Sequence, residues 1–363
     1  KVAMLHAQSK FSSPGVPRLG IPEFWTTDGP HGIRPEVKWD EWDQAGWTND
    51  SIIAYPALTA LSATWNKKMS WNYGKALGEE ARYRKKDILL GPGVNIYRTP
   101  LNGRNFEYIS EDPRLTSELA VPIVRGIETS DVAACVKHFA MNNQETERLW
   151  VNVEADERTM REIYFPAFQA VVQKAGAKSI MGSYNLIRGT HVCENKDIMG
   201  TVLRKEWGLD GTIISDWGAV HTTKGTAEGP LDIEMSVTSD FDDYFLANPL
   251  ISEIRKGNID EACVDEKVRN ILRMMVRLHM IELTEVPDSD GKKKILVQKN
   301  KNRKAGSYNT AKHRFEVLKV ARESITLLKN EDRKLPLDPA IDKVLDRKST
   351  RLNSSHDDVS RMP

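Results

Sequence analysis

Cysteine is scarce in this chain. Cys135, Cys193 and Cys263 are an odd number at wide spacing, which excludes a disulfide framework and a zinc-ligand pattern. Cys135 sits in an apolar run and reads as a small core residue rather than a nucleophile. An excess of either charge is also missing: 52 Lys and Arg stand against 51 Asp and Glu, a net charge of +1. Neither a polyanion nor an acidic surface is therefore implied as a partner. No apolar run is long enough to span a bilayer, and no signal-peptide pattern stands at the start. The first residue is Lys1 rather than Met, so the chain reads as a piece that opens inside a helix. There is no G-x-G-x-x-G and no P-loop, so nucleotide cofactors have no support. No His/Cys cluster occurs at ligand spacing, and neither metal nor cofactor is expected.

What the 363 residues do contain is a core-forming pattern long enough for two domains. Short β-rich runs alternate with helical ones. Residues 24–27, 87–90, 132–136, 178–183 and 212–215 read as buried strands, rich in Ile, Val, Leu and Thr. Residues 66–84, 118–127, 156–174 and 197–207 read as the helices between them, with Asp156 as an N-cap and Pro166 as a kink or restart. Residues 249–280 give two more helices. Most of the strands end in a polar residue: Asp28, Lys137-His138, Tyr184 and Asp216. A parallel α/β barrel of the TIM type, (β/α)8-like, predicts this, because its site is built from the loops after the strands. A doubly wound sheet would predict it too, but would want a glycine-rich phosphate loop early in the chain.

The sharpest stretch is Gly211-Thr212-Ile213-Ile214-Ser215-Asp216-Trp217-Gly218. It places a carboxylate where a buried strand stops, beside an indole whose flat face suits the C–H face of a sugar. The bland alternative is an Asp N-capping a helix. Residues 36–50 carry Trp39, Trp42 and Trp47 among acids and read as a surface loop near the same rim. The indoles there suit either sugar binding or local plugging.

Several motifs in order resemble glycoside hydrolase family 3, especially its β-glucosidases. They are Thr27-Asp28-Gly29-Pro30-His31-Gly32, Gly103-Arg104-Asn105-Phe106-Glu107, Lys137-His138-Phe139, Asn143-Gln144-Glu145-Thr146 with Arg148, Gly182-Ser183-Tyr184-Asn185, and Ser215-Asp216-Trp217-Gly218. Each is weak alone, and their order over about residues 1–345 is the signal. The resemblance implies a retaining, exo-acting β-glycosidase with Asp216 as nucleophile. It further implies that Asp28, Arg104, Lys137, His138 and Arg148 bond the hydroxyls of the first sugar, that Tyr184 donates near the nucleophile, and that Trp217 is a platform. Substrates would be small β-glucosides or oligosaccharides, with no nucleic acid or membrane partner. Lys137 and Arg104 would also keep the Asp216 pKa low. Structural alternatives stand beside these roles: Lys137-His138 as a satisfied buried pair, Arg104 with Glu107 as a loop ion pair, and Arg148 as a solvated charge.

Two departures from the family pattern matter. The glucosidases' acid/base is a Glu of the second domain, which no residue here matches. The N-acetylglucosaminidase branch carries Lys-His-Phe-Pro-Gly-His-Gly, whereas Lys137-His138-Phe139 continues here as Ala140-Met141-Asn142-Asn143. A β-xylosidase or exo-glucanase of the same family, or a non-catalytic sugar-binding barrel, is the alternative reading.

The expected domain plan is a barrel over residues 1–280, a basic polar linker over 281–314, and the truncated start of an α/β sandwich domain over 315–345, opening with an amphipathic helix and a strand. The lysines of 292–304 read as solvated linker rather than as a nucleic-acid site, for want of interleaved aromatics. Residues 346–356 and 360–363 can be read back as sequencing-adapter text, with 357–359 as a sample index, so 346–363 is expected to be translated adapter.

Overall fold

The computed structural model describes residues 1–46, 51–287 and 289–341. Trp47 and the segment 346–363 lie outside the described residues. The chain divides into two units, Lys1–Ile325 and Thr326–Pro363.

In the first unit the short strand β1 (Ser12–Ser13) pairs antiparallel with β2 (Phe24–Asp28). From β2 the sheet runs parallel through β3 (Ile88–Leu90), β4 (Ala133–Phe139), β6 (Ser179–Gly182) and β9 (Thr212–Ser215). The strands β5 (Asn152–Val153), β7 (Leu186–Ile187) and β8 (Thr190–His191) form a small separate sheet in the loops. Single bridges carry the main sheet onward, from Ile214 to Ile233 and from Glu234 to His6. There the Glu234 N–H donates to Leu5 O at 2.8 Å and Ala7 N–H to Glu234 O at 3.0 Å. The six described strands thus curl back toward the N-terminal residues, as a (β/α)8-like barrel requires.

Helices pack outside the curl. They are α1 (Leu58–Ala63), α2 (Lys67–Tyr83), α3 (Pro113–Glu128), α4 (Glu157–Thr159), α5 (Pro166–Ala170), α6 (Thr223–Glu228), α7 (Asn248–Arg255) and α8 (Ala262–Arg277), with π-helical turns at Met160–Tyr164, Val171–Ala175 and Lys196–Glu206. The Asp156 carboxylate caps α4 by accepting from Thr159 N–H at 2.7 Å. Helix α3 starts five residues earlier than the periodicity indicates, because Asp112 caps it and Pro113 fills its first turn. Gly74 and Gly126 let α2 and α3 touch backbone to backbone: a Cβ on Gly74 would stand 2.2 Å from Ile123 O.

Strand parity sorts the core. Leu89, Ala134, Val136, Ile180 and Ile213 belong to the cluster shared with the helices. Phe24, Ile88, Leu90, Ala133, Cys135, Met181 and Ile214 belong to a second cluster with Met4 and Leu5. Asp28, Lys137 and Asp216 continue the second parity past Phe24, Cys135 and Ile214. Alternation along a strand therefore sends all three side chains to the inner face.

Two expectations about the C-terminal part are corrected. Residues 281–314 are not a featureless linker: β10 (Ile281–Pro287) and β11 (Lys293–Lys299) form an antiparallel hairpin. Arg303 then fastens the chain to the barrel, 2.5 Å from Asp87 Oδ1 and donating to Asp131 O at 2.6 Å. The lysines of the basic run are exposed, as expected; Arg303 is its half-buried member, and its carboxylate partner Asp87 lies 216 positions away. The helix expected after the run is α9 (Ala311–Glu323), docked by a 2.9 Å contact between His313 Nε2 and Glu79 Oε2. No strand follows it among the described residues.

The reading of 346–363 as translated adapter is likewise corrected. Helix α9 packs as protein, and regular structure continues to a 3₁₀ turn at Glu331–Arg333. Nothing among the described residues marks the tail as foreign. In the second unit Asn330 and Leu335 exchange two hydrogen bonds, at 2.9 and 3.0 Å.

Candidate active site

The strand ends open into a cavity of about 200 Å³. Asp28, Arg104, Lys137, His138, Arg148, Tyr184, Asp216 and Trp217 all line it. Arg34, Phe11 and Trp42 complete the wall.

Its centre is a buried ionic cluster. Lys137 Nζ donates to Asp28 Oδ1 at 2.8 Å and lies 3.6 Å from Glu107 Oε2. Glu107 is also paired with Arg104 Nε. Burial alone would push the Asp28 carboxyl up. The Lys137 charge and hydrogen bond, the Gly29 N–H and Arg34 outweigh it and hold Asp28 below the ordinary aspartate range. Burial likewise disfavours charge on Lys137, but Asp28 and Glu107 keep its pKa raised. The Arg104–Glu107 pair, the structural alternative for Arg104, does form, and through Glu107 it also faces Lys137 beneath the cavity that Arg104 lines.

His138 is held from all sides. Its backbone N–H donates to Asn95 Oδ1 at 2.8 Å, and Asn95 Nδ2 donates to its carbonyl at 3.0 Å. A register shift of β4 against β6 between Val136 and Phe139 re-aims the chain here. Arg104 Nη2 lies 2.8 Å from His138 Nε2. Arginine has only donors, so Nε2 accepts and the ring proton sits on Nδ1, facing Tyr108 Oη at 3.2 Å. Burial, followed by the charges of Arg104, Lys137 and Arg148, drives the His138 pKa well below its usual value. The ring is neutral, and its 3.5 Å approach to Asp216 Oδ2 is not an ion pair.

Asp216 extends the ladder of β9, its N–H donating to Gly182 O at 3.0 Å. Its Oδ1 accepts the Trp217 N–H at 2.8 Å, whereas Oδ2 is buried, 3.5 Å from His138 Nε2, and closes no hydrogen bond of good geometry among the described residues, the Tyr184 hydroxyl being a donor near the carboxylate. Burial raises its pKa above the ordinary aspartate value. Arg104, Lys137, the Trp217 N–H and Tyr184 act against that rise without cancelling it. The expectation that the cations keep this pKa low is therefore corrected: at this depth desolvation wins.

Arg148 bonds Glu145 Oε2 at 2.7 Å and sits 4.6 Å over the Tyr184 ring. Trp217 is only 9% exposed, and its indole N–H donates to Lys10 O at 2.9 Å. Asn95, Tyr108, Arg34 and Phe11 escaped the sequence reading. Asn95 alone left a signal, a polar residue just past the β3 strand end. Among the described residues no group of three or more His, Cys, Asp or Glu is placed to hold a metal ion.

A cleft of buried carboxylates and cations at the C-terminal ends of parallel barrel strands stands where barrel enzymes build their active sites. The sequence matches the glycosyl hydrolase family 3 N-terminal domain over residues 4–274, and the chain belongs to that family. It is 48% identical over 339 residues to Beta-glucosidase BoGH3A of Bacteroides ovatus, covering 91% of this chain and 43% of that protein. It is 39% identical over 334 residues to an Exo-alpha-(1->6)-L-arabinopyranosidase of Bifidobacterium longum, covering 89% and 39%. Among solved structures it is similar to the β-glucosidase DesR from Streptomyces venezuelae in complex with D-glucose (TM-score 0.79, 34% identity, 93% of this chain and 41% of that one). It is also similar to β-glucosidase 3B from Thermotoga neapolitana with glycerol (TM-score 0.80, 32% identity, 93% and 47%). The chain spans about two fifths of the length of the curated relatives it matches. Among the described residues, no helix is long and apolar enough to cross a membrane.

Proposed function

We propose that this chain carries the nucleophile half of a retaining β-glycosidase site that takes a β-glucoside. The observation behind the reading is the asymmetry of Asp216. One oxygen is fixed by the Trp217 N–H, and the other closes no hydrogen bond of good geometry among the described residues, in a cavity lined by sugar-bonding groups. A carboxylate held this way can attack an anomeric carbon through its free oxygen, expelling the protonated aglycone and forming a glycosyl ester, and is released as the carboxylate when water attacks the same carbon. Asp28 and Lys137 suit adjacent sugar hydroxyls, one accepting and one donating with charge assistance. Arg104 donates to the acceptor nitrogen of neutral His138 and so fixes the ring beside Asp216. The family resemblance assigns the proton donor to a Glu of a second domain, which would stand about 5–5.5 Å from the nucleophile. Three of the four relatives above are named β-glucosidases and one an arabinopyranosidase, and the majority favours a glucoside over the xyloside and glucan alternatives.

The test uses a substrate that leaves without an acid. The chain is incubated with 2,4-dinitrophenyl 2-deoxy-2-fluoro-β-glucoside, and the adduct is mapped by peptide mass spectrometry. We expect one label on Asp216 and none in Asp216→Asn. A label on another carboxylate refutes the assignment. Glucose binding without any label in the wild-type chain would favour the non-catalytic sugar-binding barrel.

A further inference from the structure

We infer that Trp42, and not Trp217, is the platform that receives the aglycone. The inference rests on the glycosidase reading above and names the part of the substrate that the polar cluster leaves unserved. Trp217 follows the nucleophile in sequence, but it is nearly buried, its indole N–H is spent on Lys10 O, and Phe11 packs against it at 5.3 Å. Trp42 lines the same cavity yet remains 40% exposed. Ring contacts run from Trp217 to Phe11, tilted at 5.3 Å, and from Phe11 to Trp42, edge-on at 5.9 Å. Phe11 thus stands between Trp42 and the indole beside Asp216. Asp28, Lys137, Arg104 and His138 make the polar wall for the sugar that is cleaved. The aromatic wall is what remains for the departing group.

Trp42 is also held still, which an adventitious surface indole is not. Its loop folds back on itself through a Val37–Gln44 bridge, with Lys38 N–H to Asp43 O at 2.9 Å and Ala45 N–H to Glu36 O at 3.0 Å. The loop is stitched to the barrel by Lys10 N–H to Trp39 O at 3.0 Å and Ser239 Oγ to Asp40 O at 2.6 Å. Lys10 Nζ stands 5.1 Å from the Trp42 ring and Arg34 5.8 Å from it. Lys10 is itself fixed to Val237 O at 2.6 Å and Thr238 O at 3.0 Å. An anchored indole that leaves much of its surface open offers stacking area at little ordering cost. The matching ligand chemistry is an aglycone with a flat apolar face, either an aryl ring or a second pyranose.

The experiment measures binding to the whole chain by calorimetry, with glucose, methyl β-thioglucoside, phenyl β-thioglucoside and thiocellobiose. The thioglycosides resist hydrolysis, so catalysis does not enter. We expect phenyl thioglucoside or thiocellobiose to bind more tightly than the methyl compound. In Trp42→Ala and Trp42→Gln that preference should fall by about three- to tenfold, with glucose affinity unchanged. Which compound loses its preference tells an aryl aglycone from a sugar one, and either loss supports the inference. Retained glucose binding doubles as the folding check, and Trp42→Gln keeps bulk in the loop if Trp42→Ala fails to fold. An intact preference in both variants overturns the role of Trp42 and leaves the sugar-site reading standing. An equal loss for glucose and the phenyl compound also overturns it, placing Trp42 against the cleaved sugar. No binding of any compound by the wild-type chain would instead refute the sugar site itself.

Discussion

Replacing Lys137 with Met removes one buried ammonium and strands two carboxylates. Asp28 loses a 2.8 Å hydrogen-bonded ion pair, and Glu107 loses a cation at 3.6 Å. Breaking a buried pair from one side costs about 3–5 kcal/mol. Here Asp28 keeps the Gly29 N–H and Glu107 keeps Arg104, so we expect a cost around the lower end of that scale, about 2–4 kcal/mol at neutral pH. The pH dependence separates this from a simple packing loss. In the wild type Asp28 sits below the ordinary aspartate range. Its stabilisation is present above about pH 4 and is lost as pH falls through the folded value. In Lys137→Met the stranded carboxylates are pushed upward by burial, so they destabilise at neutral pH and stop doing so once protonated. The gap between the two proteins must therefore shrink on acidification. Urea unfolding of both proteins between about pH 4 and 7.5, with Glu107→Gln added to Lys137→Met, measures it. The double variant should recover part of the loss. A gap below about 1 kcal/mol, or one that does not change with pH, would refute the shared-ammonium account.

Three further outcomes follow from the same geometry. His138 is buried among three cations with its proton on Nδ1, so its ring protons should show no NMR titration between about pH 5.5 and 8; a midpoint near 6.5 would contradict the neutral tautomer. The Asp216 pKa is raised by burial, so Asp216 labelling should fall on acidification with a midpoint above about 4, and Arg104→Met should move that midpoint higher; a midpoint well below 4 would show that the cations win after all. Arg303→Ala should cost about 1–3 kcal/mol in urea unfolding, because Arg303 bonds Asp87, Asp131 O and Leu278 O, while leaving glucose affinity unchanged; a negligible cost would make the stretch after β11 an unanchored passenger.

The polar residues at strand ends were legible in the amino-acid order because a strand has a period of two. Once Phe24, Cys135 and Ile214 are read as inward, Asp28, Lys137 and Asp216 must share that face, and no tertiary information is needed to say so. The capping of a helix by Asp156 is equally local, as is that of α3 by Asp112, which the apolar periodicity passed over. The helix boundaries, the main barrel strands and the family motifs all depend on neighbours a few residues away. Other features depended on residues brought together from far along the chain. Lys137 meets Asp28 across 109 positions, and Trp217 meets Lys10 across 207. The second contact buries the indole that the motif offered as a platform and leaves Trp42, one of three indoles of the 36–50 loop between which the sequence did not choose, as the open one in the cavity wall. Arg303 finds Asp87 across 216 positions, which ties the chain after an exposed basic hairpin to the barrel. The sign of the Asp216 shift was decided the same way. Charge type can be read from residue names, but depth cannot, and at this depth the cost of desolvation exceeds the pull of the two cations.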